Sequence, residues 1–163
     1  MRVIIPLREA LADPRILGGV LTGASWDGWK ALLLACAGEK LTDDERAHFT
    51  RLTGRNREPG DGVLCEAFLC IGGRRGGKSK AVSTFCAWLA TCVDWSDCLS
   101  LGERGRVMFV APAMDQAQNT MNYCRALFED NELLRSLVEH SAQDEIHLRC
   151  RRPMLLIAAA RPR

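Results

Sequence analysis

The chain has 163 residues, 47% of them hydrophobic, which is enough for one globular α/β domain with its own core. Its 22 Lys and Arg residues nearly balance its 20 Asp and Glu residues, so the net charge of +2 excludes a strong overall attraction to polyanions. The apolar stretches are far shorter than the ~20 residues of a membrane span, and the first residues lack a signal peptide, so we expect a soluble protein.

Residues 1–62 are predicted to form a small helical leader followed by a connection. The first 25 residues mix prolines, a glycine pair and short apolar pieces, so we expect a loosely structured lead-in. Ser25 can cap a helix over residues 26–37, which Gly38 ends.

A second leader helix is predicted from a start signal. Thr42 at the cap position and Glu45 three residues later match a capping box. Leu41, just before the cap, is placed for a hydrophobic staple near Arg46 or Phe49. A polar stretch rich in turn formers then connects the leader to the main unit.

The main unit is predicted over residues 63–163. Residues 63–71 are nearly continuously apolar and bounded by glycine, which is typical of a strand buried on both faces of a parallel sheet. A glycine-rich loop follows, and a helix is expected from Lys78 to about Val93.

Strands and helices alternate through the rest of the chain. A buried strand over 106–111 ends at Pro112, and a short helix is expected around 131–140. Two strands over 144–149 and 154–159 close the unit. A long helix over residues 114–130, between the strand over 106–111 and the short helix, is predicted to carry one apolar face, formed by Ala117, Met121, Cys124, Leu127 and Phe128.

The eight cysteines are expected to be free intracellular thiols, because no signal peptide precedes them. Cys86, Cys92 and Cys98 recur every six residues, but the chain lacks the close CxxC-type pair that zinc sites usually need. We therefore expect core or surface thiols here, with no metal ligands among them.

The loop at residues 72–79 reads GGRRGGKS and matches the GxxxxGK[ST] pattern, with Gly72 and Gly77 at the two fixed glycine positions. Glycines let backbone N–H groups point inward with no Cβ in the way. Between a buried strand and a helix, this pattern predicts a loop that cradles phosphate groups at the positive end of the helix. The alternative is a glycine-rich turn whose lysine faces water.

Each predicted role follows from the residue type. Lys78 reaches the β- and γ-phosphate oxygens, and Ser79 supplies a hydroxyl ligand to Mg²⁺. Arg74 or Arg75 acts as an arginine finger on the γ-phosphate, or is simply an exposed cation. The predicted ATP-binding set is Gly72, Gly73, Arg74, Arg75, Gly76, Gly77, Lys78 and Ser79.

Four features in order resemble the N-terminal part of the ATPase domain of phage terminase large subunits. They are the leader WDGWKALLLACAGEKLTDDERAHFTRLTGR, the loop GGRRGGKS, the phrase LGERGRVMFVAP and the helix start MDQAQNT. The resemblance covers nearly all of the chain. It implies an ASCE-type, RecA-like P-loop NTPase with a three-layer α/β sandwich, which binds MgATP and drives packaging of double-stranded DNA into a procapsid. The resemblance also implies a following nuclease domain, portal and small terminase subunit partners, and the host cytoplasm as location for a phage or prophage product.

The resemblance assigns roles to particular residues. Arg74 looks like the catalytic loop arginine of the family, beside Lys78. Pro112 and Gln116 look like the segment that links the ATP site to DNA, or else are a strand stop and an exposed helix amide. Trp26 and Trp29 stand where an aromatic ring could stack on adenine, or else pack the leader helix. The C-terminal arginines are a nucleic-acid contact or a solvated end: Arg149, Arg151, Arg152, Arg161 and Arg163.

One family element is missing from the sequence. Hydrolysis needs carboxylates at the end of an apolar strand, usually Asp-Glu, and the chain has no such run. Asp115 is separated from its strand by a proline, and the last apolar run ends in Ala160-Arg161. We therefore expect residues 63–163 to be a partial ATPase core, truncated before the Walker B strand, that binds ATP and hydrolyses it poorly. The alternatives are a P-loop nucleotide kinase and a non-catalytic nucleotide-binding module.

Overall fold

The computed structural model describes residues 1–57, 62, 64–65, 68, 70, 75–149 and 154–158. A short 3-10 helix spans Ala24–Trp26. The α-helices are α1 (Leu7–Ala12), α2 (Asp27–Cys36), α3 (Asp43–Thr53), α4 (Lys78–Thr91), α5 (Met114–Asp130) and α6 (Glu132–Ser136). The strands are β1 (Arg2–Val3), β2 (Val93–Asp94), β3 (Gly105–Phe109), β4 (Val138–Ser141), β5 (Glu145–Leu148) and β6 (Met154–Ala158).

The first 25 residues are part of the core, so the prediction of a loose lead-in was wrong. Leu7, Leu17 and Leu21 are buried in the main hydrophobic cluster. Strand β1 pairs antiparallel with β2, and the Trp88 indole donates a hydrogen bond of 2.8 Å to the Ile5 carbonyl. The apolar residues of this segment are separated by turns, so no sequence period indicates the face that they share.

Helix α2 begins differently from the prediction. Ser25 lies inside the 3-10 turn that precedes α2, and Trp26 takes the cap position with no side-chain cap bond. The predicted end at Gly38 is confirmed: its φ is 74°, its N–H donates to the Ala35 carbonyl, and the next amide donates to the Leu34 carbonyl. This pair of bonds is the Schellman motif, in which glycine adopts the left-handed conformation without a steric penalty.

Helix α3 begins at the predicted capping box. The Thr42 hydroxyl accepts from the Glu45 amide at 3.4 Å, and the Glu45 carboxylate accepts from the Thr42 amide at 2.8 Å. Leu41 and Phe49 are both buried in the hydrophobic cluster, against which α2 also packs. Helix α3 thereby forms one side of the leader unit.

Helices α4 and α5 pack against each other and hold the centre of the molecule. Ala117, Met121, Cys124 and Phe128 are buried, as the apolar face of α5 predicts. The Ser83 hydroxyl donates to the Thr120 carbonyl at 2.8 Å and joins the two helices at a partly buried position. The predicted helix from Lys78 is confirmed, and it ends at Thr91.

A four-stranded sheet has the order β3-β6-β5-β4. Strands β3 and β6 are parallel, and the two other neighbouring pairs are antiparallel. Strands are therefore confirmed within the predicted ranges 106–111, 144–149 and 154–159. The prediction that the first of them is buried was wrong: β3 ends at Phe109, Met108 is 51% exposed, and Val110 just beyond the strand is 63% exposed. The helix predicted around 131–140 is only half correct, because the chain after Ser136 forms β4, where pairing with β5 prevails over local helix preference.

The predicted strand over 63–71 lies mostly outside the described residues. Because this strand would precede the glycine loop, the three-layer P-loop fold stays a prediction. None of the helices in the described part of the chain has the length and apolar character that a bilayer span needs.

Candidate functional site

The described half of the glycine loop leads directly into α4. Lys78 is the first residue of the helix, and Gly77 is its cap with a φ of 77°. Because Gly77 has no side chain to accept a hydrogen bond, the cap leaves the first-turn amides directed at the space beyond the helix. This end of the helix is therefore suited to an anion. Gly72, Gly73 and Arg74 lie outside the described residues.

The predicted site residues of this half lie together. Gly77, Lys78 and Ser79 are half-buried, whereas Arg75 and Gly76 are exposed. Arg75 has a φ of 67°, an uncommon value for a residue with a side chain, and Gly77, two residues later, has a φ of 77°. Two left-handed residues on either side of Gly76 thus bend the backbone ahead of the helix.

A cavity of about 810 Å³ opens beside Lys78 and Gly76. Its volume lies within the roughly 300–1,000 Å³ of small-molecule sites. Helices α2 and α3 form two of its walls. Its apolar and aromatic lining is Trp29, Leu32, Phe49, Leu52 and Phe68.

The charge of this cavity is positive. Arg51, Arg55 and Lys78 line it, and no carboxylate belongs to its lining among the described residues. The Arg51 guanidinium lies 3.1 Å from Nδ1 of His48, which also lines the cavity. An apolar interior with cations at its edge is suited to a ligand that joins a flat apolar group to an anion.

Two tryptophans of the leader contact the loop. The Trp29 indole N–H donates to the Gly76 carbonyl at 2.9 Å. A Cβ atom on Gly77 would lie 2.8 Å from Cη2 and 2.9 Å from Cζ3 of Trp26, so the ring of Trp26 packs directly on this glycine. The Lys80 ammonium lies 5.2 Å from the centre of the Trp26 ring, within cation–π range. The two tryptophans therefore hold the second half of the loop from one side.

The other predicted contacts are spread over the surface. Pro112 and Gln116 are exposed, and β3 ends at Phe109, three residues before the proline. Arg149 is exposed, while the four later arginines lie outside the described residues. Pro112, Gln116 and Arg149 do not line the cavity beside the loop.

The cysteines that the structure describes are free thiols. Burial raises the pKa of Cys86 to about 12, and burial, with Cys65 nearby, raises the pKa of Cys36 to about 12. These thiols stay protonated at neutral pH and are poor nucleophiles. Among the described residues, no group of three or more His, Cys, Asp or Glu side chains is placed to hold a metal ion.

Sequence reasoning missed the contribution of α3 to the site. His48, Arg51, Leu52 and Arg55 share the side of this segment that faces the cavity. Their spacing of three to four residues is a helical period and was visible in the sequence. Nothing local indicated that this face would lie beside the glycine loop, because the two segments are more than 20 residues apart.

Comparison with known proteins identifies no relative. No family model, no curated protein and no solved structure matches this chain. The candidate site is therefore defined by its own residues: a glycine turn at the start of α4, a cationic and apolar cavity beside it, and two tryptophans against the turn.

Proposed function

We propose that the chain binds MgATP through residues 72–79 and corresponds to the N-terminal part of the ATPase domain of a phage terminase large subunit. The observation that carries this proposal is the turn Gly76-Gly77-Lys78, which enters α4 without a capping side chain and borders a cavity with cationic edges. Phosphate groups are stabilised at such helix starts by backbone N–H groups and by the helix dipole.

The described residues fit the phosphates of the nucleotide. Gly76 places no Cβ between the loop and a ligand, and Lys78 brings a cation to the edge of the cavity. In this proposal the Ser79 hydroxyl holds Mg²⁺, which neutralises phosphate charge when it is bound. The half-buried position of Ser79 in the first turn of α4 is compatible with that role.

The cavity is the proposed place for the base and sugar. Phe49 and Phe68 provide aromatic surface inside it, and Lys78 lies at its border. A nucleotide whose phosphates lie on the loop could place its base among these rings. Arg51 and Arg55 would add to the attraction of the anion.

Hydrolysis is proposed to be slow in this chain. The sequence holds no apolar run that ends in Asp-Glu, and the described lining of the cavity contains no carboxylate to activate water. A described cavity lining without a carboxylate favours the non-catalytic nucleotide-binding module as a second candidate. Double-stranded DNA, the portal and the small terminase subunit are proposed as partners, and the host cytoplasm as location, on the resemblance alone.

Calorimetry with MgATP tests the proposal. We expect the wild-type chain to bind and Lys78→Ala to bind at least about tenfold more weakly, because a charge-assisted contact to phosphate is lost. Lys40→Ala is the matched control, since it removes an exposed lysine of the leader that does not line the cavity. Phosphate release is followed in the same samples.

Three results would decide between the candidates. Binding that is lost only in Lys78→Ala, with no phosphate release, supports nucleotide binding without turnover. Phosphate release at a steady rate that Lys78→Ala abolishes would show a complete hydrolase and refute the proposed slow hydrolysis. Wild type that is folded and does not bind saturating MgATP would refute the proposed function.

A further inference from the structure

The Trp29 hydrogen bond determines the orientation of one loop peptide. Trp29 lies in α2 and donates to the carbonyl of Gly76, 47 residues later in the chain. A trans peptide is planar, with its carbonyl and its N–H on opposite sides. A Gly76 carbonyl directed at Trp29 therefore turns the Gly77 N–H away from α2.

Trp26 restricts the next residue of the loop. Its ring occupies the space that a side chain on Gly77 would fill, at 2.8 and 2.9 Å from the position of a Cβ atom. Gly77 has a φ of 77°, which lies in the left-handed region. A glycine in this region has several accessible conformations, and a ring packed on one side removes part of that freedom.

Lys80 joins the same arrangement. Its ammonium group lies over the Trp26 ring at 5.2 Å, whereas Lys78 lines the cavity. The first turn of α4 thus has two lysines with different surroundings. The aromatic contact keeps Lys80 on the leader side and leaves Lys78 at the cavity.

We infer that Trp26 and Trp29 form a tryptophan brace that positions the phosphate-binding loop, so that the leader is a working part of the nucleotide site. Both are positioning residues in this inference, because they act on ligand through Gly76 and Gly77. The inference rests on the proposed function, since a braced loop has this role only in a chain that binds phosphate. It also assigns one role to Trp26 and Trp29, for which the sequence allowed either stacking on adenine or packing of the leader helix.

The test compares two variants that lose the same kind of bond. Trp29→Phe keeps an aromatic ring and removes the donor to the loop. Trp95→Phe removes an indole donor to a helix carbonyl, Leu89, at the same 2.9 Å distance and away from the loop. Both tryptophans are half-buried and lose the same indole donor; the Trp95 bond is partly buried, whereas the Trp29 bond is exposed.

Two measurements are made on each full-length variant. Hydrogen exchange of the ligand-free protein reports the opening of amides 76–81, and calorimetry reports MgATP affinity. We expect Trp29→Phe to exchange faster at these amides and to bind MgATP about five- to tenfold more weakly, the equivalent of one hydrogen bond. Trp95→Phe is expected to change neither quantity.

If Trp29 only stabilised the fold, Trp29→Phe would not combine faster exchange at amides 76–81 with weaker MgATP binding. Binding that stays at the wild-type level in a folded Trp29→Phe chain would overturn the brace and leave the proposed function intact. A folded wild type that does not bind MgATP would overturn the proposed function, and the brace with it. If Trp29→Phe does not fold, Trp26→Phe is measured in its place, because its smaller ring does not reach the Gly77 contact, and unchanged exchange and affinity there would equally reject the brace.

Discussion

At the residue scale, Gly77 is constrained for two separate reasons. Its φ of 77° disfavours any side chain, and the Trp26 ring fills the space on its Cβ side. Gly54, at the end of α3, has a similar φ of 68°, but a Cβ there would meet nothing within 4 Å. Substituting each glycine by alanine therefore distinguishes the free-energy cost of the left-handed backbone, present at both positions, from the cost of the Trp26 contact, present only at Gly77.

We predict that Gly77→Ala lowers the free energy of unfolding more than Gly54→Ala does. The left-handed conformation alone costs a residue with a Cβ roughly 1–2 kcal/mol, and this cost applies at both positions. Overpacking against Trp26 adds about 1 kcal/mol or more at Gly77. Urea unfolding of the two variants measures the difference. Equal losses would show that the Trp26 contact does not constrain the loop.

At the element scale, one arginine joins α1 to the start of α3. Arg8 donates two hydrogen bonds to the Glu45 carboxylate, at 2.6 and 2.9 Å, and Glu45 also closes the capping box by accepting from Thr42. The Arg8 side chain, followed by the Thr42 amide, holds the pKa of Glu45 below its usual value of 4.5. Burial has the opposite effect nearby and raises the pKa of Glu39.

A lowered folded-state pKa means that Glu45 stabilises the fold above the unfolded-state value and loses this contribution as the pH falls through the folded-state value. We predict that the free energy of unfolding of the wild type falls more steeply below pH 4.5 than that of Glu45→Gln. Glu39 is present in both chains, so its opposite effect largely cancels in the comparison. Asp44→Asn, which removes an exposed acid of the same helical turn, is the control for the loss of one carboxylate. Parallel curves for wild type and Glu45→Gln would contradict the prediction.

At the scale of the whole molecule, the N-terminal segment is packed into the same core as the glycine-loop helix. Leu17 is 1% exposed and Trp88 of α4 is fully buried, with its indole bonded to the Ile5 carbonyl. Asn131, between α5 and α6, donates to the Ile16 carbonyl at 3.0 Å. Residues that look like a lead-in thus support the helix that carries the candidate site.

We predict that Leu17→Ala destabilises the whole chain by about 2–5 kcal/mol, because it leaves a cavity in a closed core. Ile4→Ala is the control: Ile4 is 58% exposed, and we expect a change of less than about 0.5 kcal/mol. Thermal and urea unfolding, followed by tryptophan fluorescence, measure both variants. A small effect of Leu17→Ala would mean that the N-terminal segment is not part of the cooperative core.

The sequence predicted those features that depend on neighbouring residues. The capping box of Thr42 and Glu45, the helix end at Gly38 and the start of α4 at Lys78 all involve contacts within a few residues, so their signals lie next to each other in the chain. The failures involve partners farther along the chain. Residues 138–141 form β4 by pairing with β5, five to ten residues later, and residues 1–25 are ordered by a core that is distant in sequence.

The features of the candidate site also differ in whether they depend on neighbouring or on distant residues. The sequence alone determined the glycine turn and its lysine, because an uncapped helix start and small residues are local properties that need no partner. Only the tertiary structure decided that Trp26 and Trp29 lie against this turn and that Arg51 and Arg55 face the same cavity. These positions follow from how α2 and α3 pack on the core. That packing depends on the shapes of side chains that are far apart in the sequence and meet only in the folded chain.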